Sequence, residues 1–338
     1  MRIGFDGKRA VQNFTGLGNY SRYVIDILYR FAPENEYVLY APRRRLSRVF
    51  DELLYRCPLL KTIYPEGMWR HFKSLWRAWG MTSRLDKEGI DLFHGLSNEL
   101  PLTIRKARHT RSVVTIHDLI FLRYPEYYQW IDRKIYAYKF RKACEYADLV
   151  IAISECTKRD IISYFHIPEE KIKVVYQGCD VSFTIPATDE KKQEVREKYS
   201  LPEHYILNVG SIEERKNVLL AVKSLLRLPE EMHLVILGRR TAYTDRIDEF
   251  IHAHHLEERV KILNGVPFAD LPAIYQQAKV FVYPSRFEGF GIPIIEAIYS
   301  GIPVVAATGS CLEEAGGPAS IYVHPNDVEG MAEALKQV

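Results

Sequence analysis

The sequence predicts an α/β protein built as two doubly wound domains, each a parallel sheet with helices on both faces. Three observations lead there. Short apolar, β-rich runs alternate with segments of helical period along the whole chain. These runs fall into two sets. An irregular, charged stretch separates the sets. Strands alternating with helices pair in parallel through crossover connections. In open sheets of that kind, ligands collect at the carboxyl ends of the strands.

The first set of strands is expected over 2–5, 37–40, 92–94, 112–116, 149–153 and 173–176. The second is expected over 205–209, 233–237, 260–263, 280–283 and 303–306. Helix-period stretches lie between most of them, at 18–31, 129–146, 155–165, 217–228, 244–256 and 269–278. Residues 181–189 are irregular and include Pro186, and 190–198 are strongly charged. That composition suits an exposed linker running into a helix, and divides the chain into domains 1–184 and 185–338. No repeat at solenoid spacing and no low-complexity tract occurs.

At 338 residues, 47% hydrophobic and 26% charged, the chain fits two ordinary globular domains. No run approaches the apolar length that spans a bilayer. The first residues, Met-Arg-Ile-Gly-Phe-Asp, open a strand with no signal-peptide pattern. Cys57, Cys144, Cys156, Cys179 and Cys311 are odd in number, scattered, and lack a C-x-x-C. This argues for a reducing compartment and against a zinc site or disulfide framework, so the expected location is the cytoplasm. Net charge is +3 but uneven. Residues 1–184 hold 30 Lys and Arg against 21 Asp and Glu, whereas the remainder holds 16 against 22. A basic first half suits an anionic partner, a membrane surface or a phosphorylated lipid, the alternative being a solvated face with no partner. Peripheral contact with the inner face of the plasma membrane is a further expectation. No nucleic-acid motif accompanies the charge.

Residues 279–300 organise the chemistry. Val280 to Tyr283 reads as a buried strand, and Pro284 and Ser285 end it. Gly289 and Gly291 permit a close ligand approach. Pro293 suits the first turn of a helix that Ile294, Ile295, Ala297 and Ile298 carry into the core. A strand, a glycine loop and a helix N-terminus together favour a bound anion. Glu288 and Glu296 bracket the loop with seven residues between them, and Glu296 is expected in the first helical turn. A carboxylate can accept two adjacent hydroxyls of a sugar or ribose. Taken singly, Glu296 also reads as dipole compensation and Glu288 as a solvated loop charge. With the glycines between them, the ligand reading prevails.

This segment resembles the signature of the retaining glycosyltransferases of family 4, a GT-B group. Their motif is Ser-x-x-Glu-Gly-Phe-Gly-x-x-x-x-Glu-Ala, and Ser285, Glu288, Gly289, Phe290, Gly291, Glu296 and Ala297 match it. The resemblance implies two Rossmann-like domains facing across a cleft. It also implies a nucleotide-sugar site that includes Glu288, Gly289, Phe290, Gly291, Ile292 and Glu296.

Other loops extend it. Thr15-Gly16-Leu17-Gly18-Asn19-Tyr20 opens a helix after the first strand. A dinucleotide fingerprint would need a glycine where Ser21 stands, a shorter loop and an acid closing the next strand, so NAD is poorly supported. The resemblance instead places Gly16 and Leu17 against the donor's phosphates. The strand at 112–116 runs into His117 and Asp118, and a His there could donate to a sugar hydroxyl. The resemblance makes His117 a site residue near the donor sugar, with Asp118 its neighbour. After 205–209 come Gly210 and Ser211, then Arg215 and Lys216, with Asn217 as the expected N-cap. Two adjacent cations suit a diphosphate, and family members carry a basic pair here. Asn264-Gly265-Val266-Pro267 is the loop that the family sets beside its nucleobase, making the Val266 main chain a candidate contact.

Trp69, Phe72, Trp76 and Trp79 are spaced three, four and three apart, as one helical stripe among basic residues. Such a stripe reads first as core, with a membrane interface as the alternative. No D-x-D occurs, so the cation site of metal-dependent GT-A enzymes is missing and neither metal nor cofactor is expected. Family members usually run on past a segment like 332–338, so the chain is expected to be short there.

The resemblance thus implies transfer of a hexose, with retention, from a nucleoside diphosphate sugar to a glycan or lipid-linked acceptor. His117, Glu288, Arg215 and Lys216 would carry the chemistry. The stretch from Phe93 to Pro101 and the His-Asp-Leu motif favour GDP-mannose, with a UDP-sugar as the alternative. A sugar-nucleotide epimerase of similar shape and a non-catalytic sugar-nucleotide-binding subunit remain open.

Overall fold

Strands buried on both faces of a parallel sheet read as unbroken apolar runs rather than as alternating ones, and that is how the strands of this chain are used. The structure, a computed structural model, describes residues 1–44 and 47–338. It divides into two compact units, Met1–Tyr176 and Gln177–Val338. In the first unit the strands are β1 (Arg2–Asp6), β2 (Glu36–Tyr40), β3 (Lys61–Ile63), β4 (Leu92–Gly95), β5 (Arg111–Ile116), β6 (Leu149–Ala152) and β7 (Ile172–Val174). They form one sheet in the order β3-β2-β1-β4-β5-β6-β7. In the second unit β8 (Tyr205–Val209), β9 (His233–Leu237), β10 (Val260–Leu263), β11 (Val280–Tyr283), β12 (Val304–Ala307) and β13 (Ile321–Val323) follow the order β10-β9-β8-β11-β12-β13. Every pairing among the described residues is parallel. Both sheets wind outward in two directions from a central pair, β1/β4 and β8/β11. Those pairs are the topological switch points where a doubly wound sheet opens a crevice.

Each sheet separates two apolar clusters. Along β2, Val38 and Tyr40 enter one cluster while Tyr37 and Leu39 enter the other. Along β8, Ile206 faces one side while Tyr205 and Leu207 face the opposite side. This two-residue alternation, with apolar side chains in both directions, is the reason the strand sequences show no polar face.

The division between units falls before residue 177, ahead of the expected boundary at 184. Phe183 is the cause. It is fully buried in the second unit against Tyr275, with ring centroids 5.3 Å apart. The turn Val181–Thr184 therefore packs as part of that unit, and the charged run becomes the helix Asp189–Tyr199, capped by Thr188. Two strands were not expected from sequence, β3 and β13. Each has three residues and lies at a sheet edge, too short to show any period.

The Trp69–Trp79 stripe departs from its expectation twice. It is not one helix but a 3-10 turn Gly67–Arg70, a short helix Lys73–Leu75 and a π turn Trp76–Gly80. Nor is it core as a whole: Trp76 is buried, but Trp69, Phe72 and Trp79 are 38%, 51% and 48% exposed.

Close backbone approach at the second switch point depends on Gly238. A Cβ there would lie 1.7 Å from the Gly210 carbonyl oxygen. Gly16, by contrast, has open space around its Cβ position. Gly238→Ala should therefore destabilise the protein by about 3 kcal/mol, the upper range for overpacking. Gly16→Ala should be neutral or slightly stabilising, since Ala is the better helix former. Urea unfolding of both variants checks the contrast.

Candidate functional site

In the second unit, the loops leaving β8 and β11 emerge side by side because those strands are hydrogen-bonded neighbours. The β8 loop turns at Gly210, where φ is +152°, and a Cβ would sit 3.2 Å from the Lys216 side chain. Glycine there leaves room for the lysine stem to fold back over the loop. The short 3-10 turn Glu214–Lys216 then presents both cations. Asn217 occupies the expected N-cap position, but its side chain does not cap the helix Val218–Ser224. It adopts a left-handed φ of +54°, and its amide donates to the carbonyls of Pro284 and Pro325. Asn tolerates that conformation better than most residues, and here it ties the β8 loop to the β11 loop.

The two loops meet at Glu288. Its Oε1 accepts from Lys216 Nζ at 2.9 Å, Ser285 Oγ at 2.8 Å and Tyr283 OH at 3.2 Å. Its Oε2 faces Arg215 at 3.0 Å. Arg215 also donates to the Phe287 carbonyl, and Lys216 to Tyr283 OH. The Cys311 thiol donates to the carbonyls of Glu288 and Phe290, at 2.9 and 3.0 Å, and so pins the loop from beneath. Burial would push the Glu288 carboxyl up, but Lys216 and Arg215 outweigh it and hold the carboxyl at about 2. The same carboxylate raises the pKa values of both cations against the opposing effect of burial. Because the Glu288 pKa is depressed on folding, its contribution is complete above the ordinary carboxylate range and is lost as pH falls through about 2.

Glu296 is engaged elsewhere. It is the fifth residue of the helix Ile292–Tyr299, not part of its first turn, which holds no acid. Dipole compensation therefore does not account for it. It accepts from Tyr275 OH at 2.8 Å. Burial raises its pKa to about 7, with Asp180 adding to the rise and the Tyr275 hydrogen bond opposing it. Its helix starts at Gly291, where φ is +125°, no side chain caps the first turn, and Pro293 lies in that turn. Phe290 is buried, whereas Gly289 and Ile292 are partly exposed. Ser211 Oγ donates to Glu213 at 2.6 Å. Val266 packs its side chain against the core cluster that includes Leu237 and Tyr275. Its loop leaves β10, two strands from β8 and so about 10 Å away by strand spacing.

In the first unit, His117 directly follows β5 and is 5% exposed. Its Nε2 lies 2.9 Å from the Leu96 carbonyl, which can only accept, so Nε2 carries the proton. Burial lowers its pKa to about 4, partly offset by the Leu96 carbonyl, and the ring is neutral at pH 7. Tyr20 stands edge-on to the ring at 4.6 Å, and the His117 backbone N–H donates to Asn98 Oδ1. Asp118 Oδ1 accepts from the Ile120 N–H, shaping the next turn. Gly16 is exposed and Leu17 partly buried at the start of the helix Gly16–Phe31, where Thr15 caps nothing.

The structure thus bonds Arg215, Lys216 and Glu288 into one cluster and sets Glu296 in a separate pair with Tyr275. Sequence reasoning missed Tyr283, Tyr275 and Tyr20. The available signal was a polar tip inside an otherwise apolar run, as at the carboxyl end of β11. Chemically, two cations already oriented by a fixed carboxylate can receive a dianion with little reorganisation. A carboxyl near neutrality can accept hydroxyls once ionised. Among the described residues, no three His, Cys, Asp or Glu side chains gather as a metal-ligand group.

Known proteins place this geometry in context. A model of the glycosyl transferases group 1 matches residues 188–338, and one of glycosyltransferase family 4 matches residues 21–183. The O-antigen chain mannosyltransferase B of Escherichia coli is 32% identical over 267 residues, covering 77% of this chain and 67% of that protein. The O-antigen chain mannosyltransferase RfbU of Salmonella typhimurium is 28% identical over 225 residues, 67% of this chain and 60% of its own length. The chain therefore spans about two thirds of these relatives (67% and 60% of their lengths). Among solved structures, Anabaena HepE in complex with UDP and glucose superposes with a TM-score of 0.76 at 19% identity, over 100% of this chain and 89% of that one.

The Glu296 environment makes a direct prediction. Carboxyl carbon NMR should show Glu296 titrating near 7, and Tyr275→Phe should move the midpoint higher by removing the bond that favours the ionised form. A midpoint in the ordinary range near 4 would contradict the buried Tyr275–Glu296 pair.

Proposed function

The chain belongs to the group 1, family 4 glycosyltransferases of GT-B fold, and from that premise we propose the reaction it carries out. It moves a hexose, mannose in the favoured reading, from a nucleoside diphosphate sugar to a hydroxyl of a glycan or lipid-linked acceptor, with the anomeric configuration retained. The context is polysaccharide or lipopolysaccharide synthesis. Two O-antigen mannosyltransferases among its relatives support mannose, and hence GDP-mannose, over a UDP-sugar. HepE, solved with UDP, keeps the uridine donor as the second reading.

One observation carries the proposal: Glu288 bonded to both Lys216 and Arg215 at the β8/β11 junction. The leaving group of the reaction is a nucleoside diphosphate, on which negative charge grows as the bond to the anomeric carbon breaks. The acceptor oxygen forms the new bond on the face that the diphosphate leaves, and its proton passes to the departing phosphate oxygen. Lys216 and Arg215 stabilise that growing charge, so no metal ion is needed for it. Glu288 keeps the cations oriented and offers its oxygens to donor-sugar hydroxyls. Ionised Glu296 accepts the ribose diol. Gly16, Leu17, Gly210, Ser211, Gly289, Phe290, Gly291 and Ile292 line the donor, and the Val266 main chain meets the base. His117 is neutral and donates its Nε2 proton to the Leu96 carbonyl, so it meets a sugar hydroxyl as an acceptor and not as the donor expected from sequence. No helix among the described residues is long and apolar enough to cross a membrane. We place the protein in the cytoplasm, in peripheral contact with the inner membrane surface.

Isotope-labelled GDP-mannose and UDP-glucose, with product analysis, test the reaction class. Label transferred to an acceptor supports it, and recovery of an epimerised donor contradicts it. Lys216→Ala should lower kcat about 100- to 1,000-fold, the usual cost of one preorganised charge donor, with a smaller effect on recognition of the sugar. Equal turnover in Lys216→Ala and wild type would refute the assigned role.

A further inference from the structure

The first unit has its own switch point, between β1 and β4, and a cavity of about 240 Å³ opens beside it. Its lining includes Lys8 after β1, Arg43 after β2, Glu99 after β4, Lys73 and Arg77 from the broken 67–80 segment, and Lys139 from the helix Trp130–Tyr146. Five cations thus surround one carboxylate. Arg77 is the fixed element. It lies in the π turn Trp76–Gly80, its side chain is 12% exposed, and it is clamped by Asp6 at 2.6 Å and Glu99 at 2.6 Å. Glu99 is shared with Lys139 at 3.6 Å. Among the described residues, no carboxylate forms a salt bridge with Lys8, Arg43 or Lys73. Burial lowers the Lys8 pKa, with Arg77 and Arg9 adding to the fall and Glu99 and Asp6 opposing it.

We propose that this cavity binds a phosphate or diphosphate group carried by the sugar acceptor. This rests on the glycosyltransferase reading above and adds the chemical class of the acceptor to it. Lys8, Arg43 and Lys73 supply the positive charge for the anion, while Arg77, neutralised by Asp6 and Glu99, fixes the cavity wall. The excess charge gives the basic first half of the sequence a specific place to act. The same segment that supplies Lys73 and Arg77 exposes Met68, Phe72, Leu75 and Trp79. An apolar chain attached to the phosphate would find a surface there.

All four tryptophans, Trp69, Trp76, Trp79 and Trp130, lie in the first unit, three of them in the segment that lines the cavity. Tryptophan emission therefore reports the segment that supplies Lys73 and Arg77 to the cavity wall and carries no fluorophore from the second unit. Titration of the full chain with inorganic pyrophosphate should change the emission saturably, equally in wild type and Lys216→Ala. The effect should weaken at least tenfold in Arg43→Gln/Lys73→Gln, at two exposed positions, and persist in Arg43→Lys/Lys73→Arg. Farnesyl diphosphate separates the sources: tighter binding than pyrophosphate supports a lipid-linked acceptor, and equal binding supports a water-soluble phosphorylated one. No saturable response, or one that the Gln variant leaves intact, overturns the proposal. Failure of the donor reading appears separately, as the absence of thermal stabilisation by GDP-mannose or UDP-glucose.

Discussion

A half-buried carboxylate shared by two cations governs the second unit. Glu288 is reached by Lys216 and Arg215 from a neighbouring strand's loop, and by Ser285 and Tyr283 from its own. Burial of any one of these charges alone is costly, and removing one partner from such a pair typically costs about 3–5 kcal/mol. The group is therefore stable only as a set, and its members hold one another in place. The consequence is preorganisation. Two positive groups stay oriented, charged and largely shielded from water, and an incoming diphosphate does not have to order them.

That set exists because of sheet topology. Parallel strands send all their carboxyl ends to one edge, and the order β10-β9-β8-β11-β12-β13 makes β8 and β11 neighbours although 70 residues lie between Val209 and Val280. Gly210 gives the Lys216 stem room to return, Gly238 lets the β9 end approach Gly210, and Asn217 bridges to the carbonyl of Pro284. The first unit repeats the arrangement with different chemistry. At its switch point Asp6 and Glu99 fix Arg77, Lys139 shares Glu99, and among the described residues no carboxylate forms a salt bridge with Lys8, Arg43 or Lys73 around the cavity. One topology thus yields two cationic clusters of different design, the second unit's paired to Glu288 and the first unit's with charge left over.

Much of this was legible in the residues. Apolar runs such as Val280–Tyr283 and Tyr205–Val209 were long enough to mark the central strands, and the glycine loop between Glu288 and Glu296 pointed to the loop that the β8 cations meet. Edge strands of three residues, Lys61–Ile63 and Ile321–Val323, carry no period and were invisible. The Trp69–Trp79 stripe misled because helical spacing does not reveal that a 3-10 turn and a π turn interrupt it. The Glu288 cluster was only half visible. Adjacency of Arg215 and Lys216 in sequence suggested an anion site, but the partner that orients them is set by strand order, and Tyr283 looked like one more apolar strand residue. Glu296 was placed one turn too early, which hid its pairing with Tyr275.

We propose that Lys216, held by Glu288, meets the diphosphate of the donor. Calorimetric titration with guanosine and uridine di- and monophosphates tests it most directly, because the pairs differ only in the terminal phosphate. The account predicts that the wild-type protein binds its preferred diphosphate at least about tenfold more tightly than the monophosphate, roughly 1.4 kcal/mol, and that Lys216→Met loses most of that preference. An undiminished preference in Lys216→Met would contradict it.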